Sequence, residues 1–206
     1  MARLLVDTDA FMKLGSIGVL EHAAELFDVS LEACERLPAL PTMLRRGGVF
    51  KRYGPEVCAR LVPLADTMSV ATQPPVAWAA RLAGVPHIDP GEVQLLALVA
   101  AEGAFLTTAD KRALIAVSKV EGMAEALAGR IVSLEAVMLA LCARLGTAQV
   151  GSLVRPRVLD ANDQLLKISF SEGNPTPEVG LRSYFTRLQR DVAPLTLWQP
   201  PQEQPT

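Results

Sequence analysis

The chain has 206 residues, half of them hydrophobic and a fifth charged, with a net charge of −2. That length holds one sizeable core, alone or with an appended subdomain, and the composition excludes wholesale disorder. The balance of charge argues against a protein built chiefly to grip long duplex nucleic acid, while a nuclease that needs only local contacts is compatible with it.

The first element is a short apolar run, Arg3 to Val6, ending in Asp7-Thr8-Asp9, which reads as a buried strand. Residues 10–26 have helical character interrupted at Gly15-Ser16-Ile17-Gly18, which predicts two short helices. Phe27-Asp28-Val29-Ser30 is a candidate second strand, followed by a helix from near Leu31 that ends by Pro38 or Pro41. Residues 42–75 carry the basic cluster Arg45, Arg46, Lys51 and Arg52, then a helix-like stretch around Glu56–Ala65 and a Pro-rich connection.

Asp89-Pro90-Gly91-Glu92 forms a capping box with proline at the first helical position, opening a helix over Val93–Ala101 that Gly103 ends. Ala104–Thr108 reads as a strand, the segment from Asp110 through Val117 as a helix, Arg130–Leu134 as a strand and Glu135–Leu145 as an apolar helix. This alternation predicts an α/β fold, a parallel sheet covered on both faces over residues 1–146. Residues 147–198 are expected to form a C-terminal α+β extension. It comprises a hairpin across Asp160-Ala161-Asn162-Asp163, a loop at Gly173–Pro177 and an amphipathic helix over Leu181–Val192. On that helix Leu181, Tyr184 or Phe185, and Leu188 make a stripe suited to docking on the core or on a second subunit, with Arg182, Arg187 and Arg190 off it. The Pro/Gln-rich residues 199–206 are expected to be disordered.

Three scattered cysteines, Cys34, Cys58 and Cys142, read as buried thiols in a reducing compartment. Leu4–Val6 is too short for a signal-peptide apolar region, and Ile131–Leu145 is interrupted by Glu135 and Arg144 and falls short of a membrane span. The expectation is a cytoplasmic protein with no membrane association.

The chemistry lies in the acids. Groups at the carboxyl ends of parallel strands, and at the N-termini of the helices that connect them, share one rim of the sheet. Asp7 and Asp9 follow the first strand, Asp110 follows the strand ending at Thr108, and Glu92 and Glu35 fall in early helical turns on this reading. Carboxylates gathered there repel one another, and a hard cation, Mg²⁺ or Mn²⁺, relieves the repulsion through oxygen ligands. Each acid also has a structural reading. Glu92 completes a capping box, Asp110 and Asp9 suit helix N-termini, Glu35 suits a solvated helix surface, and Asp28 and Asp89 suit turns and caps. Arg45, Arg46, Lys51 and Arg52 suit RNA phosphates or a solvated loop, and Lys111-Arg112 adjoins Asp110, next to where a scissile phosphate would lie.

In three places the sequence resembles the PIN-domain family: Val6-Asp7-Thr8-Asp9-Ala10-Phe11-Met12-Lys13-Leu14, Asp89-Pro90-Gly91-Glu92 with its Ala/Leu-rich helix, and Leu106-Thr107-Thr108-Ala109-Asp110-Lys111. The likeness covers roughly residues 3–135. It implies a compact three-layer αβα sandwich with a short parallel sheet and a metal-dependent ribonuclease site. By that likeness Asp7, Glu92 and Asp110 coordinate metal, with Asp9 or Thr108 in support, and Glu35 is the nearest counterpart of a further acid after the second strand.

Three functions follow as expectations. The first is an endoribonuclease acting on single-stranded or structured RNA, either a toxin with an antitoxin partner or an RNA-processing enzyme, and in either case a homo-oligomer. The second is a non-catalytic PIN-like interaction module, and the third an α/β phosphohydrolase of small phosphorylated substrates.

Overall fold

The computed structural model describes residues 3–201. A five-stranded, all-parallel sheet in the order β3-β2-β1-β4-β5 runs through its centre. The strands are β1 (Leu4–Val6), β2 (Glu35–Arg36), β3 (Ser69–Val70), β4 (Phe105–Thr108) and β5 (Ile131–Ser133). All three residues of β1 are buried, as a strand enclosed on both faces and both edges requires. Its partner β4 is set in register by Leu4 opposite Phe105, Leu5 opposite Leu106 and Val6 opposite Thr107.

Helices α1 (Thr8–Ser16) and α2 (Leu20–Glu25) connect β1 to β2; α3 (Leu40–Arg45), α4 (Gly48–Tyr53) and α5 (Pro55–Thr67) connect β2 to β3. The chain then crosses back through α6 (Val76–Leu82) and α7 (Pro90–Glu102) to β4, and proceeds through α8 (Lys111–Val117) and α9 (Met123–Ala126) to β5. Right-handed crossovers in opposite directions put the two groups of helices on opposite faces. The contacts follow suit, with α1 on α5 and α2 on α10 (Leu134–Leu145) in one layer, and α6 on α7 and α7 on α9 in the other. The architecture is the expected αβα sandwich. Because the winding reverses between β1 and β4, a crevice opens at their carboxyl ends.

Two local expectations are corrected. Phe27–Ser30 forms no strand: Asp28 has φ +55°, which breaks an extended run, and the Phe27 ring turns in against Phe105 and Trp198, with centroids 5.0 and 5.3 Å away. The second strand lies later, at Glu35–Arg36, and the helix expected from Leu31 shrinks to a single 3₁₀ turn, Leu31–Ala33.

The α+β character expected of the extension is also corrected, since no strand follows Ser133 among the described residues. After α10 come α11 (Thr147–Val154), α12 (Gln164–Ser169) and α13 (Pro177–Asp191). Where a hairpin was expected, the Asp163 carboxylate accepts the Leu166 N–H at 3.0 Å and caps α12. A short polar side chain that bonds its own downstream backbone favours a helix start over a ladder.

On α13 the apolar stripe is Leu181, Phe185 and Leu188, buried where the helix packs on α10 and α12. Beyond it, Trp198 N–H donates to Ile131 C=O at 2.8 Å and Gly129 N–H to Thr196 C=O at 2.7 Å, so the chain covers the edge of β5. Gln199 is hydrogen-bonded to Gln189 at 3.1 Å; of the tail expected to be disordered, residues 202–206 lie outside the described residues. Among the described residues no helix is long and apolar enough to cross a membrane.

One hydrophobic core runs from Leu4 through Phe170 to Leu197, so the helices after α10 share it with the sheet. Phe170 is 1% exposed. Phe170→Ala is therefore expected to cost about 3–5 kcal/mol. In urea the variant should still unfold in a single transition, monitored in parallel by far-UV circular dichroism and tryptophan fluorescence. A separate early transition would show that the extension folds on its own.

Candidate functional site

A cleft of about 330 Å³ opens at the carboxyl end of β1, lined among others by Asp7, Asp9, Asp89, Glu92 and Asp110. Each acid arrives by a different local device. The Asp7 N–H donates to Thr107 C=O at 2.9 Å, extending the β1–β4 ladder by one bond, and its own C=O accepts the Phe11 N–H at 2.8 Å, starting α1. The residue is thus pinned at the strand end, with its side chain buried at 6% exposure.

Glu92 and Asp89 form the reciprocal capping box of α7, with Glu92 N–H to Asp89 Oδ1 at 2.8 Å and Asp89 N–H to Glu92 Oε2 at 2.7 Å. Gly91 between them brings the helix against Leu37 on the opposite wall; a Cβ there would meet Leu37 Cδ1 at 2.6 Å. Asp110 caps α8, its Oδ1 accepting the N–H groups of Arg112 at 2.8 Å and Ala113 at 3.0 Å. Thr108 links two of the acids: its hydroxyl donates to Asp7 Oδ2 at 3.3 Å and accepts the Asp110 N–H at 3.2 Å.

The remaining predicted residues are distributed unevenly. Asp9 lines the cleft but is ion-paired, with Lys13 Nζ at 3.0 Å and Arg52 at 3.4 Å. Glu35 is corrected: it belongs to β2, not to a helix, and its carboxylate is bound by Arg3, with Nη2 to Oε2 at 2.7 Å. Arg3 also pairs with Glu102 at the far end of α7, so this ionic group sits on the edge of the sheet opposite Glu92. Lys111 Nζ lies 2.6 Å from Glu135 Oε1, an ion pair without hydrogen-bond alignment. Arg112 and Arg46 are exposed, and Arg45 is engaged with Asp66 at 3.1 Å.

Lys13 and Asp163 were missed in the sequence. Lys13 is buried, with Asp9 and Asp163 both 3.0 Å from Nζ, and ties α12 to the rim of the cleft. Its position four residues after Asp9 on one helix face was a readable signal for half of this pairing. Asp163, 150 residues further along the chain, left no local trace.

Burial and crowding set the electrostatics. The Asp7 carboxyl is pushed up to about 7, first by burial and then by the charge of Asp9, against the Thr8 and Asp9 amides and the Thr108 hydroxyl. Glu92 is likewise pushed up to about 7 by burial; the Asp89 amide opposes this, and the charges of Asp89, Asp110 and Asp7 add to it.

Oxygen donors short of counter-charge match the chemistry of a hard divalent cation. Among the described residues no group of three or more His, Cys, Asp or Glu side chains is disposed as a ready-made cage. Mg²⁺ asks for less, being held through one or two carboxylates with its remaining positions filled by water. Asp7 and Glu92 both line the cleft and offer carboxylate oxygens of that kind.

A scan against protein-family models and searches of curated proteins and solved structures each returned no match.

A carboxyl that holds its proton more tightly in the folded state supplies stability that is complete below its unfolded pKa, near 4, and is lost as pH rises through its folded value. Relative to wild type, Asp7→Asn in chelator should thus gain stability between pH 4 and pH 7, by about 2–4 kcal/mol in all. Urea melts across that range check it; a difference independent of pH would contradict it.

Proposed function

We propose that this chain is a metal-dependent endoribonuclease of PIN type that hydrolyses RNA phosphodiester bonds with Mg²⁺ or Mn²⁺. The observation carrying this reading is that Asp7, Glu92 and Asp110, far apart in sequence, line one cleft where the winding of the sheet reverses. The same three residues carry the resemblance to the PIN-domain family. Asp7 and Glu92 would hold the ion, with Asp110 beside them. A bound ion of this kind polarises a phosphoryl oxygen and makes water a better nucleophile at neutral pH.

The chain's own groups do the rest. Thr108 orients the Asp7 carboxylate through its hydroxyl. Lys111 and Arg112, which follow Asp110 directly, supply cations for the phosphate on one side. Arg46 and the neighbouring Arg45 do so from the α3–α4 side, where Met43 of α3 forms part of the wall. The reading extends to a toxin of a toxin–antitoxin pair or an RNA-processing enzyme in the cytoplasm, with an antitoxin or a second copy of the chain as protein partner.

A second reading, a non-catalytic module of the same fold, is favoured by one observation: Glu35 is held by Arg3 away from the cleft, which leaves the acidic set one member short.

With Mn²⁺ or Mg²⁺ the purified protein is expected to cleave single-stranded RNA. Asp7→Asn should lower the rate by more than about 100-fold, whereas Thr108→Val, which removes only the hydroxyl that donates to Asp7, should lower it about 10- to 100-fold. Mn²⁺ should raise the melting temperature of wild type and leave that of Asp7→Asn unchanged. Activity that survives Asp7→Asn would overturn the assignment of this site, whereas no cleavage with any divalent metal and no calorimetric heat with Mn²⁺ would decide for the non-catalytic reading.

A further inference from the structure

The amphipathic helix α13 places two aromatic residues side by side and treats them differently. Phe185 is 5% exposed in the core, whereas Tyr184 is 37% exposed on the surface. Its ring lies beneath Lys111, with Nζ 5.2 Å from the centroid. Lys111 is the residue next to Asp110, so the ring stands one lysine side chain and one cation–π contact from an acid of the cleft.

Tyr184 and Lys111 face an open groove of about 200 Å³ between α8 and α13, which Ile115, Arg187, Leu188 and Asp191 also line. The groove shares two lining residues, Lys111 and Leu188, with a small cavity that Thr108, the residue bonded to Asp7, also lines. From Leu181 to Arg190 the helix carries three arginines and no acid, within a chain whose net charge is −2. Arg182, Arg187 and Arg190 are all exposed. Two counter-charges are present: Glu135, 2.6 Å from Lys111, and Asp191, 3.7 Å from Arg187 on the surface, where such a pair is weak and yields to a phosphate.

Exposed aromatic rings interleaved with cations along a groove are what single strands use: bases stack on the ring and phosphates meet the cations. We infer that the α8–α13 groove is the track for single-stranded RNA flanking the scissile bond, with Tyr184 the stacking platform and Lys111 and Arg187 the phosphate contacts. This rests on the endoribonuclease reading of the cleft and gives its flanking strand a path. It also gives residues 177–191 a role in binding beyond covering the core.

The test is fluorescence anisotropy on the full chain carrying Asp7→Asn, so that RNA persists. The probe is a labelled oligouridylate of about twelve nucleotides, titrated in chelator at several salt concentrations. Tyr184→Ala should weaken binding on the order of tenfold, and Tyr184→Phe, which keeps the ring, should not. Arg187→Gln should lower the slope of log K against log salt by about 0.7. Both positions are exposed, and circular dichroism verifies the fold of each variant.

If wild type binds and cleaves RNA while Tyr184→Ala and Arg187→Gln bind and cleave as wild type does, the track is overturned and the endoribonuclease reading stands. If those variants instead lose self-association by light scattering with RNA affinity unchanged, the face is a protein interface and the inference is likewise overturned. If wild type neither binds nor cleaves RNA with any divalent metal, the reading beneath it has failed as well.

Discussion

The pairing of β1 with β4 is the constraint on which the rest of the molecule depends. These strands adjoin in the sheet yet are separated by about a hundred residues, and the chain winds away from them in opposite directions. Their ladder ends in the Asp7 N–H to Thr107 C=O bond, which holds a carboxylate at the bottom of the crevice that the reversal creates. Thr108, the next residue of β4, closes the arrangement by donating its hydroxyl to that carboxylate and accepting the Asp110 amide. Backbone pairing thus delivers two acids and the hydroxyl between them to one place, with little left to side-chain freedom.

Charge is handled differently on the two edges of the sheet. At the edge away from the cleft Arg3 satisfies Glu35 and Glu102 together, and those acids are spent on structure. At the cleft edge Asp9 is met by Lys13 and Arg52, but Asp7 and Glu92 are surrounded by further carboxylates and by apolar walls. Leaving acids buried and unmatched costs stability, and both carboxyls hold their protons more tightly for it.

The extension joins both themes. Its helices complete the core through Phe170, Leu181 and Phe185, while Asp163 reaches Lys13 and so braces the helix that carries Asp9. Segments that seal a sheet edge and also touch the rim of its crevice couple stability to the geometry of the site. Tyr184, left outside by the same helical periodicity that buries Phe185, puts a ring beneath Lys111.

By itself the sequence determined the parallel α/β class, the long helices with their caps, and the rim to which Asp7, Glu92 and Asp110 belong. Those features rest on local rules: apolar runs bounded by polar residues, a capping box at Asp89 and Glu92, and a left-handed glycine at position 103 that ends α7. Tertiary structure alone decided the two-residue strand at Glu35–Arg36, too short to show a pattern of its own and defined by its pairing with β1. It also decided the capped helix in place of a hairpin at Asp163, the removal of Glu35 to the opposite edge and the burial of Lys13 between Asp9 and Asp163. Most of these outcomes turn on a partner tens of residues away or more, and no window on the chain contains both members of such a pair.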